Sequence, residues 1–283
     1  MIYKIIKPDI RLLPFIKYYW YMKDPIGNEH LNKDMLIPDG SLGWVLNNNS
    51  RYNRFVPGHK AEVIGQSLIT GLRSRTVLAN RKKNTELVGI KLRPGSVHYL
   101  TGIPEKELKD HSLAASDVLS HYNTELEDRV FSVENRNGLK EILDGFFLDL
   151  FNSAPHAEHA LVGHITGYIN DSHNFPSLKE LHQYFNIHPK KLERLFGKWV
   201  GLGPKGFIKV VRFKRAYKLF NRKKTEFYNT DFYDLGYYDQ MHFIKEFKFF
   251  TGQSPTDYYN GDSDVTDGVL LETLQQMQKQ GNV

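Results

Sequence analysis

The feature that most constrains this fold is one short pattern written twice. Leu192, Phe196, Gly201, Pro204 and Phe207 recur 51 residues later as Phe243, Phe247, Gly252, Pro255 and Tyr258. Apolar residues four apart share one helix face. A glycine just beyond them stops a helix, and proline is tolerated in the first turn of the next. Each copy therefore encodes a helix, a tight turn and a second helix. Two copies fall short of a solenoid, which needs at least three. They imply a pair of similar small helical units.

The residues around the repeat extend both units. Helices are expected over 161–171, from Ser177, over Pro189–Val200 and over Pro204–Asn221, then over about 230–235 and 239–250. In the first unit Leu178, Leu181 and Phe185 supply the apolar face of a support helix, with a turn at Asn186–His188. Leu192, Leu195, Phe196 and Trp199 supply that of the next helix, whose other face carries Lys190, Lys191, Glu193, Arg194 and Lys198. In the second unit Phe243, Phe247 and Phe250 point inward, leaving Gln240, His242, Lys245 and Lys248 on the surface. Such a helix can be an ordinary solvated face. Two in register favour entry into the major groove of DNA, where Arg, Lys, Gln and Glu pair with base edges. The joining helix has 18 residues and so is about 27 Å long, close to the roughly 34 Å between successive major-groove segments. One chain can then present two reading heads without an obligatory dimer.

Charge agrees with that placement. Residues 160–258 carry 16 Lys and Arg against 9 Asp and Glu, whereas residues 1–159 carry 21 against 19 and residues 259–283 carry 1 against 4. The net charge of +6 is thus concentrated on the helical region, which favours a polyanionic partner.

The first hundred residues read differently. Short apolar runs (Met35–Ile37, Gly43–Leu46 and Leu87–Leu92) are broken by turns at Pro38-Asp39-Gly40, Asn47–Asn49, Pro57-Gly58 and Pro94-Gly95. That spacing suits a β-rich sandwich or barrel-like domain. Helices follow near 96–102, 105–109 and 116–131, and an amphipathic one covers Gly138–Phe151. Asn152-Ser153-Ala154-Pro155 marks the boundary. The expected organisation is α+β in two domains. Residues 1–152 form a regulatory domain, 153–160 a linker, 161–259 an all-α double helix-turn-helix domain and 260–283 an acidic polar tail.

The segment from about Leu161 to Tyr259 resembles the DNA-binding domain of the AraC/XylS family of transcriptional regulators. The likeness rests on Gly236-Tyr237-Tyr238-Asp239-Gln240-Met241-His242-Phe243-Ile244-Lys245-Glu246-Phe247-Lys248 and Thr251-Gly252-Gln253-Ser254-Pro255. In the first unit it rests on Leu192–Phe196, Gly201–Pro204 and Arg212–Ala216. By position, the resemblance implies base contacts for Lys190, Glu193 and Arg194, and for Gln240, Met241, His242 and Lys245. Lys191, Lys198 and Lys248 are read as phosphate contacts, as are Arg222 and Lys223 at the end of the joining helix. Arg212 is read as a structural ion pair or a DNA contact. The chain departs from the family at His188, where a Ser cap is usual, at His182, where a small residue usually packs, and over Thr230–Tyr233, where the second support helix lies.

The resemblance also implies that residues 1–152 sense a small molecule or mediate dimerisation. Trp20, Trp44 and Arg93 are the candidates for lining a pocket, although aromatic strand residues are more often core. Double-stranded DNA is the expected partner; a small-molecule effector, RNA polymerase and a second copy of the chain remain open. No cofactor, metal or enzymatic activity is expected. With no cysteine there is no disulfide, and His30, His59 and His98 are scattered singly. His156, His159 and His164 are read as a chance surface cluster. No run of about 18 apolar residues is present and the N-terminus lacks a signal-peptide pattern, so a cytoplasmic protein is expected. The alternatives are a metal-dependent barrel enzyme, or an interaction module whose DNA-binding head has decayed.

Overall fold

A computed structural model describes residues 2–26, 34–48, 52–55, 62–133, 138–152, 156–223, 227 and 232–260. The strands are β1 (Ile2–Ile6), β2 (Ile16–Asp24), β3 (Asp34–Leu36), β4 (Leu42–Asn47), β5 (Tyr52–Phe55), β6 (Glu62–Ile64), β7 (Leu68–Thr70), β8 (Val77–Arg81), β9 (Thr85–Leu92) and β10 (Ser112–Ala114). They form a six-stranded sheet in the order β1-β2-β9-β4-β7-β10 and a four-stranded sheet in the order β3-β8-β5-β6. Every pairing is antiparallel.

Period-two alternation gives the larger sheet two different faces. Tyr18, Trp20 and Met22 on β2 and Gly43 and Val45 on β4 look toward the smaller sheet. Between the two sheets Arg81 is buried with two carboxylates, its Nε 3.0 Å from Asp24 and its Nη1 2.5 Å from Asp34. The opposite face, with Tyr19, Leu42, Trp44, Leu46, Val88, Ile90 and Leu92, joins the main core. It is covered by α2 (Ala115–Phe131) and α3 (Leu139–Leu150), which follow the short α1 (Ser96–Thr101). Trp44 settles there: its ring meets Phe146 and Phe147 edge-on and its Nε1 donates to Asn123 at 3.0 Å.

The helical half comprises α4 (Ala157–Asp171), α5 (Leu178–Tyr184), α6 (Pro189–Trp199), α7 (Pro204–Lys223), α8 (Gln240–Thr251) and α9 (Pro255–Asn260). The repeat is realised residue by residue. Leu192 and Phe243, Phe196 and Phe247, and Phe207 and Tyr258 are all buried. Gly201 and Gly252 both adopt φ +83°, the left-handed conformation that ends α6 and α8. Pro204 and Pro255 open the helices that follow.

Several expectations are corrected. The first helix starts at Ala157, within the residues read as a linker, because His156 caps it by accepting the Glu158 N–H. The support helix expected at 230–235 is a turn over the described residues Phe232–Gly236; Thr230 and Asp231 lie outside the described residues. His30, His59 and the tail from 261 onward lie outside them as well. Among the described residues no helix is long and apolar enough to cross a membrane.

Candidate nucleic-acid interface

The first unit is assembled by local chemistry. Ser177 begins α5 with a reciprocal cap: its Oγ accepts the Glu180 N–H at 3.2 Å, and Glu180 accepts the Ser177 N–H at 2.6 Å. The turn passes through Asn186 at φ +45°, a conformation that asparagine tolerates better than most residues. His188 then caps α6 after all, its Nδ1 accepting the Lys190 N–H at 3.3 Å. Lys190, Lys191, Glu193 and Arg194 are exposed on α6, while Leu192, Leu195, Phe196 and Trp199 are buried.

Two residues of that outer face already hold an anion. Glu158, in the first turn of α4, accepts from Lys198 Nζ at 3.0 Å and from Trp199 Nε1 at 3.0 Å. Arg194 Nη2 lies 3.8 Å from the other carboxylate oxygen, on a side chain that is still 68% exposed. The bonds from Lys198 and Trp199 hold the Glu158 carboxyl below its usual range. Nothing in the local sequence pattern announced this contact, which spans 40 residues.

The second unit hangs from α7. Arg212 sets its guanidinium on Glu246 of α8, with Nε–Oε1 at 3.1 Å and Nη2–Oε2 at 2.5 Å, and its Nη1 donates to the Gly236 carbonyl at 3.2 Å. Tyr237 completes the group by donating to Glu246 at 2.9 Å. Of the two readings of Arg212, the structure selects the ion pair. Asp239 caps α8 by accepting the His242 N–H at 2.7 Å. Gln240, Met241, Lys245 and Lys248 are exposed. His242 is half-buried, and its Nδ1 accepts the Tyr238 N–H at 3.3 Å. Arg222 is exposed near the end of α7, and Lys223 is its last helical residue. The helix has 20 residues, about 30 Å.

The helical half is packed against the strand-rich half. Trp199, the last residue of α6, sits among three imidazoles: His98 edge-on at 4.3 Å, His159 at 5.6 Å and His156 at 5.9 Å. His159 is not on the surface. It is buried, stacks on Phe15 at 4.9 Å, and burial lowers its pKa to about 4. Beside it Glu105 is fully buried and accepts the Gly95 N–H at 2.8 Å; burial raises its pKa to about 8. A Cβ on Gly201 would stand 2.7 Å from the Glu105 carbonyl, so helix stop and domain contact share one glycine. The Pro38-Asp39-Gly40 turn makes a second contact, with Gly40 facing the Phe207 ring on α7. Asp39 pairs with Lys91 at 2.9 Å. Although burial opposes it, the charges of Lys91, Lys214 and Lys17 hold the Asp39 carboxyl well below the usual carboxylate range. Thr76 donates its N–H to the Phe250 carbonyl at 3.0 Å as a third.

A cavity of about 190 Å³ lies between the two sheets. Trp20 lines it with Tyr3, Tyr18 and Met22, and Arg54, Arg73, Arg81 and Lys91 bring positive charge. Trp44 faces the helices instead, and Arg93 is exposed outside the cavity, donating to the Leu13 carbonyl at 2.6 Å. Of the three candidates only Trp20 reaches it. Among the described residues no group of three His, Asp or Glu side chains converges in the manner of a metal site.

Comparison with known proteins matches residues 181–261 to a helix-turn-helix domain family and residues 4–114 to a domain family of unknown function, DUF6597. No curated protein matches the chain. Among solved structures, ToxT from Vibrio cholerae O395 is 10% identical, covering 84% of this chain and 96% of that one with a TM-score of 0.46. Unsaturated fatty acid-bound wild-type ToxT from Vibrio cholerae strain SCE256 is 12% identical, covering 84% and 94%, again at 0.46. The AraC-like transcriptional activator CuxR is 12% identical, covering 71% and 73% at 0.25.

Proposed function

We propose that this chain is a DNA-binding transcription regulator of the AraC type, in which α6 and α8 of the double helix-turn-helix domain read two successive major-groove segments. The observation that carries the reading is the repeat made physical: matching buried residues, matching turns and the exposed polar faces of α6 and α8, joined by one helix of about 30 Å. Residues 1–152 serve as the regulatory domain and 161–259 as the DNA-binding domain, with 153–160 between them and 260–283 as a tail. The chain acts by binding and not by turnover.

Roles follow from chemistry and exposure. Arg194 suits bidentate contact with guanine, Gln240 with adenine, and Glu193 can accept from cytosine. Lys190, Met241 and Lys245 complete the base-facing set. His242 is assigned the weakest base contact, since its ring is turned toward Tyr238. Lys191, Lys198, Lys248, Arg222 and Lys223 serve phosphates. The inter-sheet cavity takes a small-molecule effector: at about 190 Å³ it lies below the usual 300–1,000 Å³ range of ligand sites, so the effector is small. RNA polymerase and a second copy of the chain are further partners to test.

Selection from a randomised duplex pool by the full-length protein, followed by sequencing, tests the reading. Two enriched blocks about 10 base pairs apart are expected. One enriched block would reduce α8 to a phosphate grip, and none would overturn sequence-specific binding.

A further inference from the structure

Glu158 stands outside the set of DNA-facing residues, yet its carboxylate is within 4 Å of two cations of that set. Lys198 Nζ and Trp199 Nε1 both reach one of its oxygens at 3.0 Å, and Arg194 Nη2 stands 3.8 Å from the other. A DNA phosphate offers Lys198 the same thing: an anionic centre with oxygens in hydrogen-bond reach. We propose that Glu158 is a resident anion masking one side of the first recognition helix, and that DNA phosphate must displace it to engage Lys198, which also releases Arg194 toward its base. The inference rests on the reading of α6 as a DNA-contacting helix.

The surroundings make the mask durable but displaceable. Glu158 lies in the first turn of α4, where the helix dipole favours a carboxylate. Its side chain is still 25% exposed, so solvent and DNA can both reach it. Lys198 also stands 5.0 Å above the Trp199 ring, an arrangement that survives loss of the carboxylate and keeps the ammonium in place for phosphate. The next residue, His159, is buried against Phe15, Tyr99 and Trp199. The first turn of α4 thus joins the masked helix to the strand-rich domain, and a shift of that domain would move the mask.

The test is equilibrium binding by fluorescence anisotropy across a salt series. The full-length protein and its Glu158→Gln variant are titrated with a duplex carrying the selected blocks and with a scrambled duplex of the same length. Glutamine keeps an acceptor for the Trp199 N–H while removing the charge. The variant is expected to bind both duplexes about 3–10-fold more tightly, with a slope of log K against log salt steeper by about one to two counterions. Unchanged or weaker binding with an unchanged slope would overturn the mask. A second measurement closes the cycle: Lys198→Gln should weaken binding less in the otherwise unaltered protein than in the Glu158→Gln background, because in the former phosphate only replaces a carboxylate that the ammonium already holds. Equal losses in the two backgrounds would show Lys198 unmasked and would also overturn it. If neither protein bound either duplex, the reading of α6 itself would fail, and the mask with it.

Discussion

Arg212 and Glu246 hold each other across 34 residues in a two-pronged ion pair that bolts α8 to α7. Glu246 is almost wholly buried, and Tyr237 and the Gly236 carbonyl take up the remaining bonding capacity of the pair. The orientation of α8 against α7 therefore rests on a buried ion pair.

Breaking the pair from one side strands a buried charge. Arg212→Ala is expected to destabilise the helical half by about 3 kcal/mol, at the lower end of the range for buried pairs because the arginine retains some solvent. Urea unfolding followed by circular dichroism measures it, and a loss under about 1 kcal/mol would mean that the bolt carries no weight.

The contact between the two halves should respond to pH through two oppositely shifted groups. Glu105 has its pKa raised from 4.5 to about 8, so its contribution to stability is full below 4.5 and is lost as pH rises through 8. His159 has its pKa lowered from 6.5 to about 4, so its contribution is present above 6.5 and is lost as pH falls through 4. The two trends oppose each other between 4.5 and 6.5, and only Glu105 acts from 6.5 to 8. The melting temperature should fall across that upper window and stay level in Glu105→Gln, which keeps an acceptor for the Gly95 N–H. Parallel curves would contradict the assignment.

Base reading should be unequal between the units. Arg194→Ala is expected to cost about 1–3 kcal/mol of discrimination between the selected and scrambled duplexes, as for loss of one bidentate base contact. Lys245→Ala should cost less, since a lysine contributes a point charge where arginine offers a fork. Competition titrations with both duplexes give the ratio, and equal losses would refute the ranking.

What was legible in the sequence is what local periodicity encodes. The paired Leu192 and Phe243, the glycines 201 and 252 and the prolines 204 and 255 each need only a few neighbours to act, and each performs the structural task its spacing implied. The alternation of short strands and turns likewise announced a β-rich first half. Illegible were the roles set by partners far along the chain. His159 looks like a surface residue until Phe15 and Trp199 close around it. Glu158 looks like an ordinary first-turn acid until α6 docks on it. Trp44 and Trp20 share an aromatic strand-like context, and only the sheet face separates core from cavity. His188 capped its helix despite its low ranking, because an imidazole Nδ1 can accept as a hydroxyl does.

In the proposed mode of binding one rigid helix, α7, holds two reading heads on neighbouring turns of DNA. The most direct test inserts five base pairs between the two selected blocks, which turns the second block to the opposite face of the duplex, and measures affinity by anisotropy. Affinity is expected to fall to that of a duplex with a single block. Unchanged affinity for the inserted duplex would contradict it, because it would mean that the two heads are not held in fixed register by α7.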